Sequence, residues 1–182
     1  MSKITFILGG ARSGKSRYAE KLAIDSALPV TYIATAQVYD DEFKQRVALH
    51  QQSRPVHWKT VETPHQLAQA LLAESNVDNC VVMDCLTLWL AQCICPECVP
   101  AEHVGDTTQF WQDARQAFLS VLPKLQGNII LVSNEVGMGI VPLGAINRQF
   151  QDEQGRLNQT VAQLAHEVIF IAAGLPLKFK SA

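Results

Sequence analysis

The chain of 182 residues has no surplus of basic charge and few charged residues of either sign. Its formal net charge is −2, so no overall positive field would attract nucleic acid. Hydrophobic residues make up 48% and charged residues 18%, a balance typical of a globular protein and not of a disordered one. No apolar run reaches the length of a transmembrane helix, and the short N-terminal run lacks the cleavage site of a signal peptide. We therefore expect a cytoplasmic protein with a single domain, residues 1–182.

Cysteine is also scarce, and its count of five is odd. Without an export signal, an odd count argues against a disulfide framework. Two of the five, Cys80 and Cys85, flank an apolar segment and are interpreted as small core residues. The other three lie near His103 and indicate either a metal cluster or a Cys-rich surface loop. A structural zinc site uses four ligands, and no second Cys-x-x-Cys pair completes this set, which favours the loop: Cys93, Cys95, Cys98.

The distribution of apolar residues predicts an α/β fold. Short apolar runs, several of them β-branched, indicate buried strands at residues 3–8, 30–34, 80–84, 128–133 and 168–172. Helical spacing occurs at residues 15–26, 40–52, 64–75, 107–125 and about 142–166. This alternation predicts a mostly parallel sheet with helices on both faces. A last short strand, residues 176–180, is expected at an edge of the sheet.

A glycine-rich segment after the first predicted strand has the spacing G-x-x-x-x-G-K-S/T of a phosphate-binding loop. Its glycines allow backbone N–H groups to turn toward phosphates, and the helix that follows directs its positive dipole end to the same place. In this pattern Lys15 contacts the outer phosphates and Ser16 ligates Mg²⁺. The residues are Gly9, Gly10, Ala11, Arg12, Ser13, Gly14, Lys15 and Ser16.

Asp84 ends an apolar strand and is the candidate second carboxylate for a magnesium site. It could also cap the helix predicted to follow it, and the two roles are compatible. The next residue is Cys85 and not a water-activating carboxylate, which argues against a motor ATPase.

A basic stripe precedes Pro55. Arg46, His50 and Arg54 are spaced by four residues, so a helix would carry them on one face. Two flanking guanidinium groups favour a neutral imidazole that could attack phosphorus. A solvated stripe with a passive histidine has the same spacing.

A second glycine motif, residues 133–142, follows another predicted strand and is typical of an active-site loop in an α/β sheet. Arg148 and Arg156 lie downstream and either clamp substrate phosphates or are surface residues of a helix. The sequence has no N-K-x-D signature, so guanine specificity does not follow by analogy with small GTPases.

Taken together, the segments "GGARSGKSRYAE", "YIATAQ" with "DDEF", "RVALHQQSRP" with "HWKTVE", and "NEVGMGIVP" with "RQFQDEQGRLNQ" resemble one family over almost the whole chain. It is the family of bifunctional adenosylcobinamide kinase / adenosylcobinamide-phosphate guanylyltransferases of cobalamin biosynthesis, the CobU/CobP type. The resemblance implies a P-loop NTPase fold related to RecA and assembly as a homotrimer. Two features depart from the family: Leu49 stands where some relatives have a second His, and residues 93–103 match no motif.

The resemblance also implies two reactions on a small-molecule corrinoid. ATP or GTP phosphorylates adenosylcobinamide, and GTP then guanylylates His50, which passes GMP to adenosylcobinamide-phosphate to give adenosylcobinamide-GDP. The implied catalytic residues are His50 and Lys15, and Mg²⁺ is the implied cofactor, with Ser16 and Asp84 as its ligands. Besides residues 9–16, the implied nucleotide-binding positions are Ala34, Thr35, Ala36, Gln51, Gln52, Ser53, Arg54, Glu62 and Asp84.

Two other functions use the same residues differently. A plain P-loop kinase would use Lys15, Ser16 and Asp84 without a covalent intermediate. A nucleotide-dependent switch or motor would bind partner proteins, and the missing N-K-x-D and the missing carboxylate after Asp84 argue against it. The position of His50 between two arginines separates the bifunctional enzyme from the plain kinase.

Overall fold

A computed structural model describes residues 2–36 and 54–181 of the chain. Its described strands form one seven-stranded sheet in the order β3-β2-β4-β5-β1-β6-β7. The first six strands are parallel and β7 is antiparallel to β6. The strands are β1 (Lys3–Gly9), β2 (Val30–Ala34), β3 (Lys59–Glu62), β4 (Cys80–Asp84), β5 (Asn128–Asn134), β6 (Glu167–Ala172) and β7 (Leu175–Lys180).

Helices cover both faces of this sheet. One face packs against α2 (Leu67–Glu74), α3 (Leu86–Ile94), α4 (Thr107–Val121) and α5 (Ala145–Leu164), with Trp89, Trp111 and Phe118 at its centre. The other face packs against α1 (Lys15–Asp25) through its alanines and Tyr18 and Leu22. Short 3₁₀ turns occur at Ala101–His103 and Leu122–Lys124. Because both faces are covered, the strands are apolar on both sides, which produced the continuous runs in the sequence.

The predicted fold class is confirmed, and all five predicted buried strands are present at their predicted positions. The predicted edge strand is β7, at the end of the sheet. β3 was not predicted as an element because its four residues are mostly exposed and carry no apolar run. The predicted helix at residues 40–52 lies outside the described residues. α5 begins at Ala145 and not at Pro142, because Gly144 has extended backbone and precedes the first helical residue.

The positions of the cysteines agree only in part with the prediction from the sequence. Cys80 and Cys85 are buried in the core, as predicted. Cys93, expected in the loop, is instead buried in the last turn of α3. Within residues 2–36 and 54–181, no group of three or more His, Cys, Asp or Glu side chains could hold a metal ion. None of the described helices is long and apolar enough to cross a membrane.

Candidate active site

The register of the parallel strands gathers the predicted site residues at one edge of the sheet. Ala34 is paired with Glu62 on one side and with Asp84 on the other, and Gly9 is paired with Asn134. All of these residues end their strands, so their side chains and the loops that follow lie at the carboxyl edge. Ligands of open α/β sheets bind in the crevice outside this edge.

The glycine-rich segment forms a tight loop between β1 and α1. Gly14 has φ +99° and is the residue before the first turn of α1, so a side chain there would be strained. Gly9 approaches β6 so closely that a Cβ atom would lie 2.3 Å from the carbonyl oxygen of Ile171. The Ser13 carbonyl accepts a hydrogen bond from the Gly174 N–H at 2.8 Å, which ties the loop to the β6–β7 turn. The loop is therefore held by backbone contacts to β6 and to the β6–β7 turn, and at Gly9 the contact leaves no room for a side chain.

Lys15 places its charge inside this loop. Its side chain is buried, and its Nζ atom donates a hydrogen bond to the Gly10 carbonyl at 2.6 Å. Burial lowers the pKa of Lys15 below its usual 10.5, while the neighbouring Cys85 and Asp84 act in the opposite direction. The nearby Ser13 hydroxyl is buried and has no hydrogen-bond partner. A phosphate oxygen in the loop would satisfy this hydroxyl and pair with the ammonium, so these residues fit a nucleotide phosphate.

Asp84 is held by Tyr32 and does not cap α3. The Tyr32 hydroxyl donates to Asp84 Oδ2 at 3.0 Å, whereas Cys85 is the N-cap residue of α3. Burial and the adjacent carboxylate raise the pKa of Tyr32 well above 10.0, so this hydroxyl stays protonated as a donor. The Asp84–Cys85 peptide bond is cis. The capping alternative from the sequence is therefore wrong, and the carboxylate remains beside the phosphate loop.

Arg54 stacks on the other side of the same tyrosine. Its guanidinium carbon lies 3.4 Å from the centre of the Tyr32 ring, a cation–π contact, and its Nε atom is 4.0 Å from Glu20 Oε1. Tyr32 thus connects Arg54, four residues after the predicted nucleophile His50, to the Asp84 carboxylate beside the phosphate loop. Sequence reasoning missed Tyr32, since a buried strand residue carries no signal of this contact.

A cavity of about 520 Å³ lies between Arg54 and Glu62. Its walls mix aromatic, aliphatic and charged groups, with the Glu62 carboxylate exposed at one side: Arg54, Pro55, Val56, Trp58, Thr60, Glu62. Pockets that bind small molecules span about 300–1,000 Å³ and combine apolar walls with a few polar groups. The cavity is therefore large enough for a nucleoside, and Glu62 is one of its lining residues.

The remaining predicted residues divide between the edge and the core. Ala34 and Ala36 are half-buried at the end of β2 and just after it. The Thr35 side chain is fully buried and donates to the Cys85 carbonyl at 3.0 Å, so it supports the turn after β4. Ala11 and Arg12 are exposed on the phosphate loop. His50, Gln51, Gln52, Ser53 and Arg46 lie outside the described residues.

A buried polar network, which the sequence did not predict, supports the end of β5. Ser133 Oγ donates to Asn158 Oδ1 at 2.8 Å, and Gln154 Nε2 donates to both groups at 2.9 Å. Asn158 Nδ2 then donates to the Asn134 carbonyl at 3.0 Å, while the Asn134 N–H donates to Thr87 Oγ1 at 2.8 Å. The sequence signal for this network was the spacing of Gln154 and Asn158, two polar residues four positions apart on an amphipathic helix. The network fixes the strand end that faces Gly9.

The two arginines of α5 have local partners. Arg148 donates to the carbonyl oxygens of Pro142 and Leu143, and Arg156 pairs with Glu153. Their predicted role as phosphate clamps finds no support in these contacts.

Comparisons with known proteins identify the family of the chain. The family "Cobinamide kinase / cobinamide phosphate guanyltransferase" (CobU) matches residues 5–179. The Pseudomonas aeruginosa bifunctional adenosylcobalamin biosynthesis protein CobP is 48% identical over 174 residues, which cover 96% of this chain and 95% of that protein. The Escherichia coli K12 protein CobU of the same description is 37% identical over 184 residues, covering 96% and 98%.

A solved structure supports the fold on its own. The RadB recombinase superposes with a TM-score of 0.50 at 13% identity, covering 92% of this chain and 73% of that one. At this identity the likeness concerns the RecA-like fold alone, which the predicted fold class named. The family match over nearly the whole chain, together with relatives of similar length, shows that the chain belongs to the cobinamide kinase / cobinamide phosphate guanyltransferase family.

Proposed function

We propose that this protein phosphorylates adenosylcobinamide with ATP or GTP and then converts the product to adenosylcobinamide-GDP with a second GTP. The observation that carries the proposal is the phosphate loop with a buried Lys15 in a chain that matches the family over residues 5–179. The relatives from Pseudomonas aeruginosa and Escherichia coli are bifunctional adenosylcobalamin biosynthesis proteins, which agrees with two transfers in one chain.

In the kinase step, the substrate hydroxyl oxygen attacks the γ-phosphorus while the bond to the β-phosphate oxygen breaks. The nucleoside diphosphate leaves, and the hydroxyl proton is released. Lys15 and the loop N–H groups oppose the negative charge that builds on the phosphates. Because the ammonium is buried and already oriented by Gly10, little reorganisation is needed when the phosphates bind.

In the guanylyltransferase step, a nitrogen of His50 attacks the α-phosphorus of GTP and pyrophosphate leaves. A phosphate oxygen of adenosylcobinamide-phosphate then attacks the same phosphorus, the N–P bond breaks, and neutral His50 is regenerated. Arg54, four residues after His50, would offset charge on the phosphates from its position over Tyr32. The stacked guanidinium gives this proposal its support among the described residues.

Nucleotide binding would extend from the phosphate loop to the cavity beside β3. The Glu62 carboxylate can accept hydrogen bonds from the N1 and N2 groups of guanine, which adenine cannot offer in the same pattern. Ser16 and Asp84 would hold Mg²⁺, which would supply positive charge to offset the charge of the phosphates. Cys85 cannot replace a catalytic carboxylate, since burial raises the pKa of its thiol to about 12.

We further propose that the protein is a homotrimer and works in the cytoplasm, where ATP and GTP are available. Sedimentation equilibrium tests the assembly directly, and a mass of one or two 20.1 kDa chains would refute it.

A labelling experiment tests the covalent step. The protein is incubated with Mg²⁺ and GTP labelled at the α-phosphate, denatured, and examined for bound label. His50→Ala is compared with His57→Ala, which alters an exposed histidine outside the proposed chemistry. We expect acid-labile, base-stable label on the wild type and on His57→Ala, and none on His50→Ala. GTP labelled at the γ-phosphate should leave no label on any of them.

The outcomes separate the bifunctional enzyme from the plain kinase. Formation of phosphorylated cobinamide and ADP from ATP, with no protein label in any variant, would support a kinase without a covalent intermediate. Label that persists on His50→Ala would place the nucleophile at another residue.

A further inference from the structure

The loop between β5 and α5, residues 136–144, exposes an unusual number of large apolar side chains. Ile140 is 97% exposed and Leu143 is 98% exposed, and the neighbours with them are also open to solvent: Met138, Val141 and, at the start of α5, Ile146. Scattered apolar residues on a surface need no explanation, but a contiguous group marks a binding surface.

This apolar loop is fastened from beneath by polar contacts. The Glu135 carboxylate accepts a hydrogen bond from the Gly137 N–H at 2.6 Å, and Gln151 Nε2 donates to the Val136 carbonyl at 3.1 Å. Arg148 donates to the carbonyl oxygens of Pro142 and Leu143 at the other end of the loop. The backbone is therefore held at both ends while the apolar side chains point into solvent, an arrangement that adds nothing to the core.

The loop begins directly beside the phosphate loop. The Glu135 N–H donates to the Gly9 carbonyl at 3.0 Å, one residue after the pairing of Asn134 with Gly9. Residues 136–144 therefore begin at the edge of the sheet where the hydroxyl of an acceptor has to reach the γ-phosphate. This proximity to the phosphates selects the acceptor substrate, and not a second copy of the chain, as the occupant of the surface.

We propose that residues 136–144 dock the corrinoid ring of the acceptor through Met138, Ile140, Val141 and Leu143. This inference rests on the proposed function and assigns the part of the substrate that the nucleotide site does not bind. A corrinoid ring has methyl groups on its faces and a hydroxyl at the end of one amide arm. Apolar side chains suit the methylated ring, and the arm can extend from it toward the phosphate loop.

The test compares Ile140→Ser and Leu143→Ser with Val77→Ser in the full-length protein. Val77 is also an exposed apolar residue, at 61%, but it precedes β4 at the opposite edge of the sheet. Binding of cobinamide is measured by equilibrium dialysis, followed by the visible absorbance of the corrinoid. The KM values for adenosylcobinamide and ATP are measured in the kinase assay, and sedimentation reports the oligomeric state.

We expect each loop variant to weaken cobinamide binding and to raise the KM for adenosylcobinamide by about tenfold. Each variant loses most of an aliphatic side chain that the docked ring would bury. The KM for ATP, the oligomeric state and all properties of Val77→Ser should stay unchanged. Unchanged cobinamide binding in both loop variants overturns the inference. Loss of the oligomer in these variants also overturns it, because a second copy would then cover the loop.

The same measurements distinguish the two proposals. If the wild type shows no cobinamide-dependent turnover but binds cobinamide and the loop variants do not, the docking surface stands and the proposed function fails. If turnover occurs and the loop variants bind cobinamide as the wild type does, the proposed function stands and the docking surface fails. A wild type that does not bind cobinamide at all overturns the docking surface.

Discussion

At the scale of single residues, Tyr32 contacts both Arg54 and Asp84, which are 30 positions apart in the sequence. Its ring lies under the Arg54 guanidinium and its hydroxyl donates to Asp84. A tyrosine is suited to this position because one side chain offers an apolar face to a cation and a polar end to a carboxylate. The contact makes the geometry of the carboxylate depend on a residue next to the proposed nucleophile segment.

Tyr32→Phe should therefore separate the two contacts. The ring under Arg54 remains, while Asp84 loses its hydrogen bond, which we expect to cost about 1–2 kcal/mol of stability and to slow phosphate transfer. Tyr32→Leu removes both contacts and should also weaken GTP binding through Arg54. Thermal unfolding and steady-state kinetics of both variants check this. Equal GTP affinity in the Phe and Leu variants would show that the stacking has no role in binding.

The pKa of Lys15 makes nucleotide affinity depend on pH. Because burial lowers this pKa below 10.5, part of the ammonium loses its proton as the pH rises toward that value. The unfolded chain binds more protons in this window, so the empty protein gains stability with rising pH there. Bound phosphates favour the charged form and raise the pKa again, so ATP binding should take up protons in the same window.

Calorimetry of ATP binding in buffers of different ionisation enthalpy measures this proton uptake. ATP is used because guanine N1 of GTP loses its own proton in the same window, whereas adenine does not. Affinity should fall as the pH approaches 10.5, and Lys15→Arg, which stays charged, should show no such fall in the same window. A wild-type affinity that does not change with pH up to 10.5 would contradict the lowered pKa.

These residues also show what the sequence alone could predict at this scale. Lys15 and Asp84 were predicted because the spacing of one motif and the end of an apolar strand mark them. Tyr32 was not, because a buried aromatic in a strand has the same pattern whether its hydroxyl is free or bonded to a residue 52 positions away.

At the scale of elements, the phosphate loop depends on how closely β1 lies to β6. The Gly9 position has φ +154° and its missing Cβ would overlap the Ile171 carbonyl, which belongs to the backbone of a central strand and cannot move aside. Gly10, next to it, has nothing within 4 Å of the corresponding point. The two adjacent glycines thus have different reasons to be present.

We expect Gly9→Ala to reduce the free energy of unfolding by about 2–4 kcal/mol and to displace the loop from the phosphates, since the overlap must be relieved by moving backbone. Gly10→Ala, the matched control, should change stability by less than about 0.5 kcal/mol. Denaturant unfolding and GTP titration of both variants check the pair. Equal stability of the two variants would mean that β1 and β6 can separate at this point without cost.

The same scale explains which elements the sequence could predict. Strands covered on both faces leave continuous apolar runs, and all of these were found. β3 (Lys59–Glu62) is the edge strand of the sheet and its residues are mostly exposed, so its sequence has no apolar run. Its last residue, Glu62, nevertheless lines the cavity. The buried amides of α5 were not interpreted because their partners belong to β5, and only the packed structure brings the two together.

At the scale of the whole molecule, the order of the strands brings the site together. β1 lies between β5 and β6, and β4 lies between β2 and β5, so segments from distant parts of the chain end side by side. Hydrophobic patterning does not specify this order, and the sequence predicted only the fold class, a mostly parallel RecA-like sheet. The predicted residues that the structure describes therefore converge at one edge for reasons of topology and not of spacing.

This edge does not offer a complete metal site by itself. Among the described residues no three His, Cys, Asp or Glu side chains are grouped for a metal, and Mg²⁺ prefers six oxygens. Ser16 and Asp84 could supply two of them, and we expect phosphate oxygens and water to supply the rest. Metal and nucleotide should consequently bind together, each much more tightly when the other is present.

Thermal unfolding with each ligand alone and with both tests this coupling. Mg²⁺ alone should leave the Tm unchanged, while Mg²⁺ with GTP at about 100 times its Kd should stabilise the protein by about 2.7 kcal/mol, or roughly 5–10 °C. Asp84→Asn should lose most of the gain that Mg²⁺ adds to GTP, and EDTA should abolish both transfers. If Mg²⁺ alone raised the Tm as much as Mg²⁺ with GTP does, the chain would bind the metal without phosphates. That result would contradict a site that metal and nucleotide share.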